Sequence, residues 1–166
     1  MLVDLASAKR VWAVIGVIPK KEDTTLARLE HEGLEAYCPK IQGRRTRKPG
    51  PLFPGYLFVR LSPVRELLRV HFLPGVRRPI LFQQQLACLE EEQVERWRKR
   101  EGGRGFLTPK TPPPFQPGQR VRFVEGVFSG LEAVVIETMP ARERVRLLMQ
   151  HLQGKLPIEV DQAVLR

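Results

Sequence analysis

Residues 51–61 read Pro51-Leu52-Phe53-Pro54-Gly55-Tyr56-Leu57-Phe58-Val59-Arg60-Leu61, and the fold turns on them. Pro54-Gly55 punctuates the chain, because proline lacks a backbone donor and glycine tolerates turn conformations that other residues avoid. The run that follows is aromatic and β-branched, which predicts a strand over Tyr56–Leu61. Alternation places Tyr56 and Phe58 on one face and Leu57, Val59 and Leu61 on the other. The aliphatic face can serve a core, which leaves the aromatic face available for binding.

Upstream, Val11–Val17 reads as a second strand that ends before Pro19. A helix follows. Glu22–Thr25 suits its first turn, Leu26 and Leu29 share a face, and Gly33 stands where a left-handed cap is common. Ala36–Cys38 is extended. Downstream, the pattern predicts a short helix over Val64–Val70, a turn at Pro74-Gly75 and a strand over Val76–Phe82. A long helix over Leu86–Arg100 then presents Leu86, Leu89, Val94 and Trp97. This order of strands and helices implies an α/β sandwich.

Between Gly102 and Gly118 the chain carries four glycines and five prolines, including Pro112-Pro113-Pro114, a composition that favours extended backbone over helix. The expected organisation is a domain over residues 8–101, a linker over 102–117 and a small domain over 118–166, α+β as a whole. In the last part, Gln119–Glu125, Leu131–Thr138, Arg144–Met149 and Ile158–Asp161 are short β-like runs, with Gly126, Gly130 and Gly154 at turns. A small SH3-like barrel accounts for them, since closure removes sheet edges that so short a domain cannot cover.

The chain has 166 residues, 28 Lys+Arg against 18 Asp+Glu and a formal charge of +10, which attracts polyanions and makes nucleic acid the leading partner. The apolar runs Val11–Ile18 and Pro51–Val59 are too short to span a bilayer, and no signal-peptide pattern opens the chain, so a cytoplasmic location is expected. Cys38 and Cys88 lack neighbours at metal spacing, and His31, His71 and His151 form no triad. No carboxylate cluster or activated nucleophile is recognisable, so no enzyme and no cofactor are expected.

Two motifs together resemble the NusG/RfaH family of transcription elongation factors. Arg44-Arg45-Thr46, a Gly/Pro-rich spacer and Pro51–Val59 are similar to the family's N-terminal signature, with Trp12, Pro39 and Gly75-Val76 in support. Gly118–Gly130 resembles the KOW motif that opens the family's C-terminal barrel. Ala133, Leu147-Leu148 and Gly154-Lys155 look more like the specialised RfaH-type members. The resemblance implies a non-enzymatic factor that suppresses pausing and termination, and with no coiled-coil pattern in the chain a monomer is expected. The resemblance further implies docking on the clamp helices of the largest RNA polymerase subunit through Phe53, Tyr56 and Phe58.

Lys40, Arg44, Arg45, Arg47 and Lys48 stand in a stretch free of acids, so mutual repulsion favours an extended, exposed segment. It resembles the family's loop beside upstream or non-template DNA, where arginine can pair with phosphate and stack on bases. Lys20, Lys21 and Arg28 extend that expected surface. Departures at Ile18-Pro19 and Leu73-Pro74 prevent any target sequence from being carried over, and Leu67, Leu68 and Arg69 replace the polar stretch by which RfaH touches the opposite side of the polymerase cleft.

For the C-terminal domain the resemblance implies Rho or a small-subunit ribosomal protein as partner. It also implies an alternative α-helical hairpin in an autoinhibited state. Both periods partly fit: Leu131, Val134, Val135 and Met139 follow helical spacing, whereas Val134-Val135-Ile136 and the alternating Val145, Leu147 and Met149 favour strand. The functional alternative is a KOW-type RNA-binding or ribosome-associated module, which would explain charge and barrel without polymerase.

Overall fold

The computed structural model describes residues 1–42, 48–108, 115–124, 126, 128–139, 144–151 and 154–166. In chain order its elements are β1 (Leu2–Val3), β2 (Val11–Val17), α1 (Glu22–His31), β3 (Glu35–Tyr37), β4 (Lys40–Ile41), β5 (Gly50–Pro51), β6 (Tyr56–Leu61) and α2 (Pro63–His71). There follow β7 (Val76–Pro79), β8 (Leu81–Phe82), β9 (Gln85–Leu89), α3 (Glu91–Glu101), β10 (Arg120–Arg122), β11 (Glu132–Met139), β12 (Arg144–His151) and β13 (Gly154–Asp161). Two compact units result: Met1–Cys38 with Pro54–Arg96, and Pro39–Phe53 with Trp97–Arg166. They do not divide at residues 101 and 118; segment 39–53 and the end of α3 group with the C-terminal residues instead.

Among the described residues the first unit carries a seven-stranded antiparallel sheet, in which β2 pairs with β6 on one side and with β9 and β7 on the other. β2 is buried at all seven positions, as a central strand covered on both faces must be. Ala13, Ile15 and Val17 join Leu57, Val59 and Leu61 in one aliphatic cluster. Leu29 of α1 and Val70 of α2 complete that cluster, so both helices lie on this side of the sheet. On the other side Trp12, Val14 and Phe58 are also fully buried.

The strand at Val11–Val17 and the helices at Glu22–His31 and Pro63–His71 agree with their sequence patterns, while the second half of this unit departs from its own. Val76–Phe82 breaks at Ile80 into β7 and β8, and the expected helix over Leu86–Arg100 begins only at Glu91, Gln85–Leu89 being strand. Leu86-Ala87-Cys88-Leu89 is a short apolar run whose periodicity alone does not separate strand from helix. The decisive feature is the turn before it, where Gln83 and Gln84 both adopt positive φ, 50° and 64°, and let β8 fold back on β9 with Phe82 opposite Gln85. That is the geometry of a two-residue type I′ hairpin, ordinarily signalled by Asn-Gly.

In the second unit β4 and β5 form a ribbon, Lys40 opposite Pro51, and Leu107 bonds along its edge through Lys40 and Gln42. β10-β11-β12-β13 form an antiparallel sheet. The chain end returns to its first strand: Arg122 and Arg166 exchange two backbone hydrogen bonds of 2.9 Å, and the Val124 amide donates to Val164 at 2.9 Å. Of the two periods, the structure has strand over Glu132–Met139 and Arg144–His151. Ala133 and Val135 point inward while Val134 and Ile136 are exposed, and Val145, Leu147 and Met149 are buried in alternation.

Candidate functional site

Two glycine turns meet the start of α1, and they explain why Pro54-Gly55 and Pro74-Gly75 both matter. The Val17 amide donates to the Gly55 carbonyl at 2.8 Å and the Ile18 amide to Gly75 at 2.9 Å. Glu22 is buried because its carboxylate accepts the Gly55 amide at 2.7 Å, a charge-assisted bond that offsets the cost of burial. Gly75 has φ +99°, and a Cβ there would collide with the Thr25 side chain. The Thr25 hydroxyl in turn donates to the Lys21 carbonyl at 2.8 Å.

Several basic side chains of the first unit cluster at this junction. Lys20, at φ 69°, and Lys21 are exposed just before α1, and Arg28 donates to the Pro74 carbonyl at 3.0 Å. Arg77 and Arg78 are exposed on β7, immediately beyond the same turn. Sequence reasoning missed these two; the available signal was a pair of arginines beside Gly75-Val76 in a run read only as strand.

The expected aromatic trio is dispersed by burial. Phe58 is 0% exposed on the sheet face away from α1 and α2, so it serves as core and not as an accessible contact. The assumption that only one face of β6 is covered fails there. Phe53 is 2% exposed; its ring lies 5.7 Å from that of Trp97, and its tip would be struck by a Cβ on Gly126, which keeps φ +90°. Tyr56 is partly exposed.

Tyr56 and Arg78 flank the same residue, Gly16, across β6 and β7, so both project from the face opposite the helices. Burial raises the Tyr56 phenol above its ordinary value, while the Arg78 and Arg77 charges pull it back. The phenol therefore stays protonated at neutral pH, an aromatic donor beside two cations, suited to a partner offering apolar contact and negative charge.

Lys40 is half-buried in β4 and Lys48 is exposed, both in the second unit. Arg44, Arg45 and Arg47 lie outside the described residues. Among the described residues no group of three His, Cys, Asp or Glu side chains could hold a metal ion, and no helix is long and apolar enough to cross a membrane.

The sequence profile of the family described as "Transcription termination factor nusG" matches residues 10–98. The chain is 29% identical over 128 residues to the transcription termination/antitermination protein NusG of Neisseria meningitidis, covering 72% of this chain and 67% of that one. It is 27% identical over 117 residues to the protein of the same name from Thermus thermophilus, covering 66% and 64%. The chain thus spans about two thirds of the length of these curated relatives. Among solved structures, one titled "Domain interaction in Thermotoga maritima NusG" is similar over 95% of this chain and 97% of that chain, with 18% identity and a TM-score of 0.44.

Proposed function

The chain belongs to the NusG family of transcription termination and antitermination factors, and from that premise we propose that it binds RNA polymerase through the Tyr56 face and suppresses pausing without chemistry of its own. The observation that carries this reading is the partly exposed Tyr56, which shares with Arg78 the sheet face away from the helices and feels the charges of both Arg78 and Arg77. The proposed partner surface is the clamp helices of the largest subunit. Binding the active state of the polymerase in preference to the paused state shifts the population toward elongation.

Lys20, Lys21 and Arg28, with Lys40, Arg44, Arg45, Arg47 and Lys48, are the proposed contacts to upstream or non-template DNA. The charge of +10 supports them, because phosphate neutralisation by lysine and arginine dominates sequence-independent affinity. The C-terminal sheet is the proposed KOW barrel, recruiting Rho or a small-subunit ribosomal protein. Positive φ at Gly126 and Gly130 supports the motif reading. Ala133, buried in β11, is in keeping with the RfaH-type specialisation.

The test is co-migration of the full chain with purified bacterial RNA polymerase after nuclease treatment. The expected result is retention by the wild type and loss by Tyr56→Ala. Binding abolished by nuclease alone would instead favour the ribosome-associated or RNA-binding module.

A further inference from the structure

Helix α2 has two apolar sides. Pro63 and Val70 are buried, and Leu67 packs against the aliphatic cluster; this side holds the helix to the sheet. Val64, Leu68 and Phe72 form the other, at positions i, i+4 and i+8. They are 55%, 71% and 75% exposed, the three highest values for large hydrophobic residues among the described residues. Scattered exposed leucines are ordinary on a protein surface. Three in one row, concentrated on a nine-residue helix and its cap, make a continuous ridge.

Charge on this helix is one-sided as well. Arg65 and Arg69, one position after Val64 and Leu68, are both exposed and run along one flank of the ridge. The Arg69 guanidinium donates to the Glu32 carbonyl at 2.6 Å, which fixes its position. Glu66, the acid of this helix, is turned back to accept the Ser62 amide at 2.7 Å and lies 3.6 Å from Arg10. The open flank is therefore basic.

We propose that the Val64–Leu68–Phe72 ridge docks an amphipathic α-helix of a partner protein, one whose apolar row seats on the ridge and whose acidic residues pair with Arg65 and Arg69. The i, i+4, i+8 row is the ridge that packs into grooves of a second helix, and helix-on-helix recognition uses such spaced anchors. A second copy of this chain is the poorer occupant, since its own arginines would meet Arg65 and Arg69 and each copy carries +10. A lipid surface is poorer too, because three side chains bury too little apolar area for stable anchoring. The site rests on α2 alone and is independent of the Tyr56 reading. It lies on the opposite side of the same sheet, so both surfaces can be occupied at once.

The experiment titrates isotope-labelled full-length protein with a synthetic Leu/Ala/Glu peptide helix of about 18 residues, its leucines on one stripe and its glutamates along one flank. Amide shifts confined to Val64–Phe72 are expected, with affinity reduced at least about tenfold by Leu68→Ser and by replacing the peptide glutamates with lysine. Unchanged shifts of Val11–Val17 in Leu68→Ser establish that the fold is intact. Absence of shifts at about 1 mM peptide, or binding indifferent to both changes, overturns the proposal. So does Leu68-dependent binding to vesicles of anionic phospholipid without peptide binding, or concentration-dependent self-association through the same residues.

Discussion

Gly75 shows how one residue fixes a junction. Its φ of +99° and the Thr25 side chain occupying the space of a Cβ make Gly75→Ala strained twice over, so it should lower stability by about 1–3 kcal/mol. Gly103, where a Cβ would meet nothing within 4 Å, is the control, and urea midpoints of Gly75→Ala and Gly103→Ala should separate clearly. Cys88 makes a different prediction. Burial pushes its thiol up to about 12, against the opposing charge of the Met1 terminal ammonium. The folded state therefore resists forming the thiolate while the unfolded chain ionises at the usual 9.0. The resulting stability is complete below pH 9.0 and is lost as pH rises toward about 12. Urea midpoints against pH should fall less steeply over that interval in Cys88→Ala than in the wild type.

At the scale of elements, the β8–β9 hairpin turns on two glutamines held at positive φ, a conformation that costs non-glycine residues free energy. Replacing them as Gln83→Asn/Gln84→Gly should raise stability by about 0.5–1 kcal/mol, read as a higher thermal midpoint. The same turn marks where the sequence stopped being legible. β2, α1, β6 and α2 follow from periodicity and glycine-proline punctuation, because each is set by local pattern. From sequence alone β9 reads as the start of a helix, because Gln83-Gln84 carries no turn signal and Leu86–Leu89 is apolar in either geometry. Within the candidate site, Tyr56 and the basic residues around α1 could be singled out from sequence. Burial of Phe58 and Phe53 could not, since cover on the second face of β6 and the packing of Phe53 beside Trp97 and Gly126 are tertiary facts.

At the scale of the whole molecule, a charge of +10, membership of the NusG family and an aromatic-basic surface at Tyr56 converge on one proposal, a factor that acts by holding polymerase in its elongating state. Aromatic anchors of this kind commonly account for about 2 kcal/mol or more of a protein interface, so one truncation should be decisive. Phe58→Ala is unsuited to the purpose, since opening a cavity at a fully buried phenylalanine costs about 3–5 kcal/mol of stability. The most direct test is single-round transcription on a paused template with purified bacterial RNA polymerase, comparing the wild type with Tyr56→Ala at matched folded concentration. Faster pause escape with the wild type, lost in Tyr56→Ala, is the predicted result; pause escape unchanged by saturating wild-type protein on several templates would contradict it.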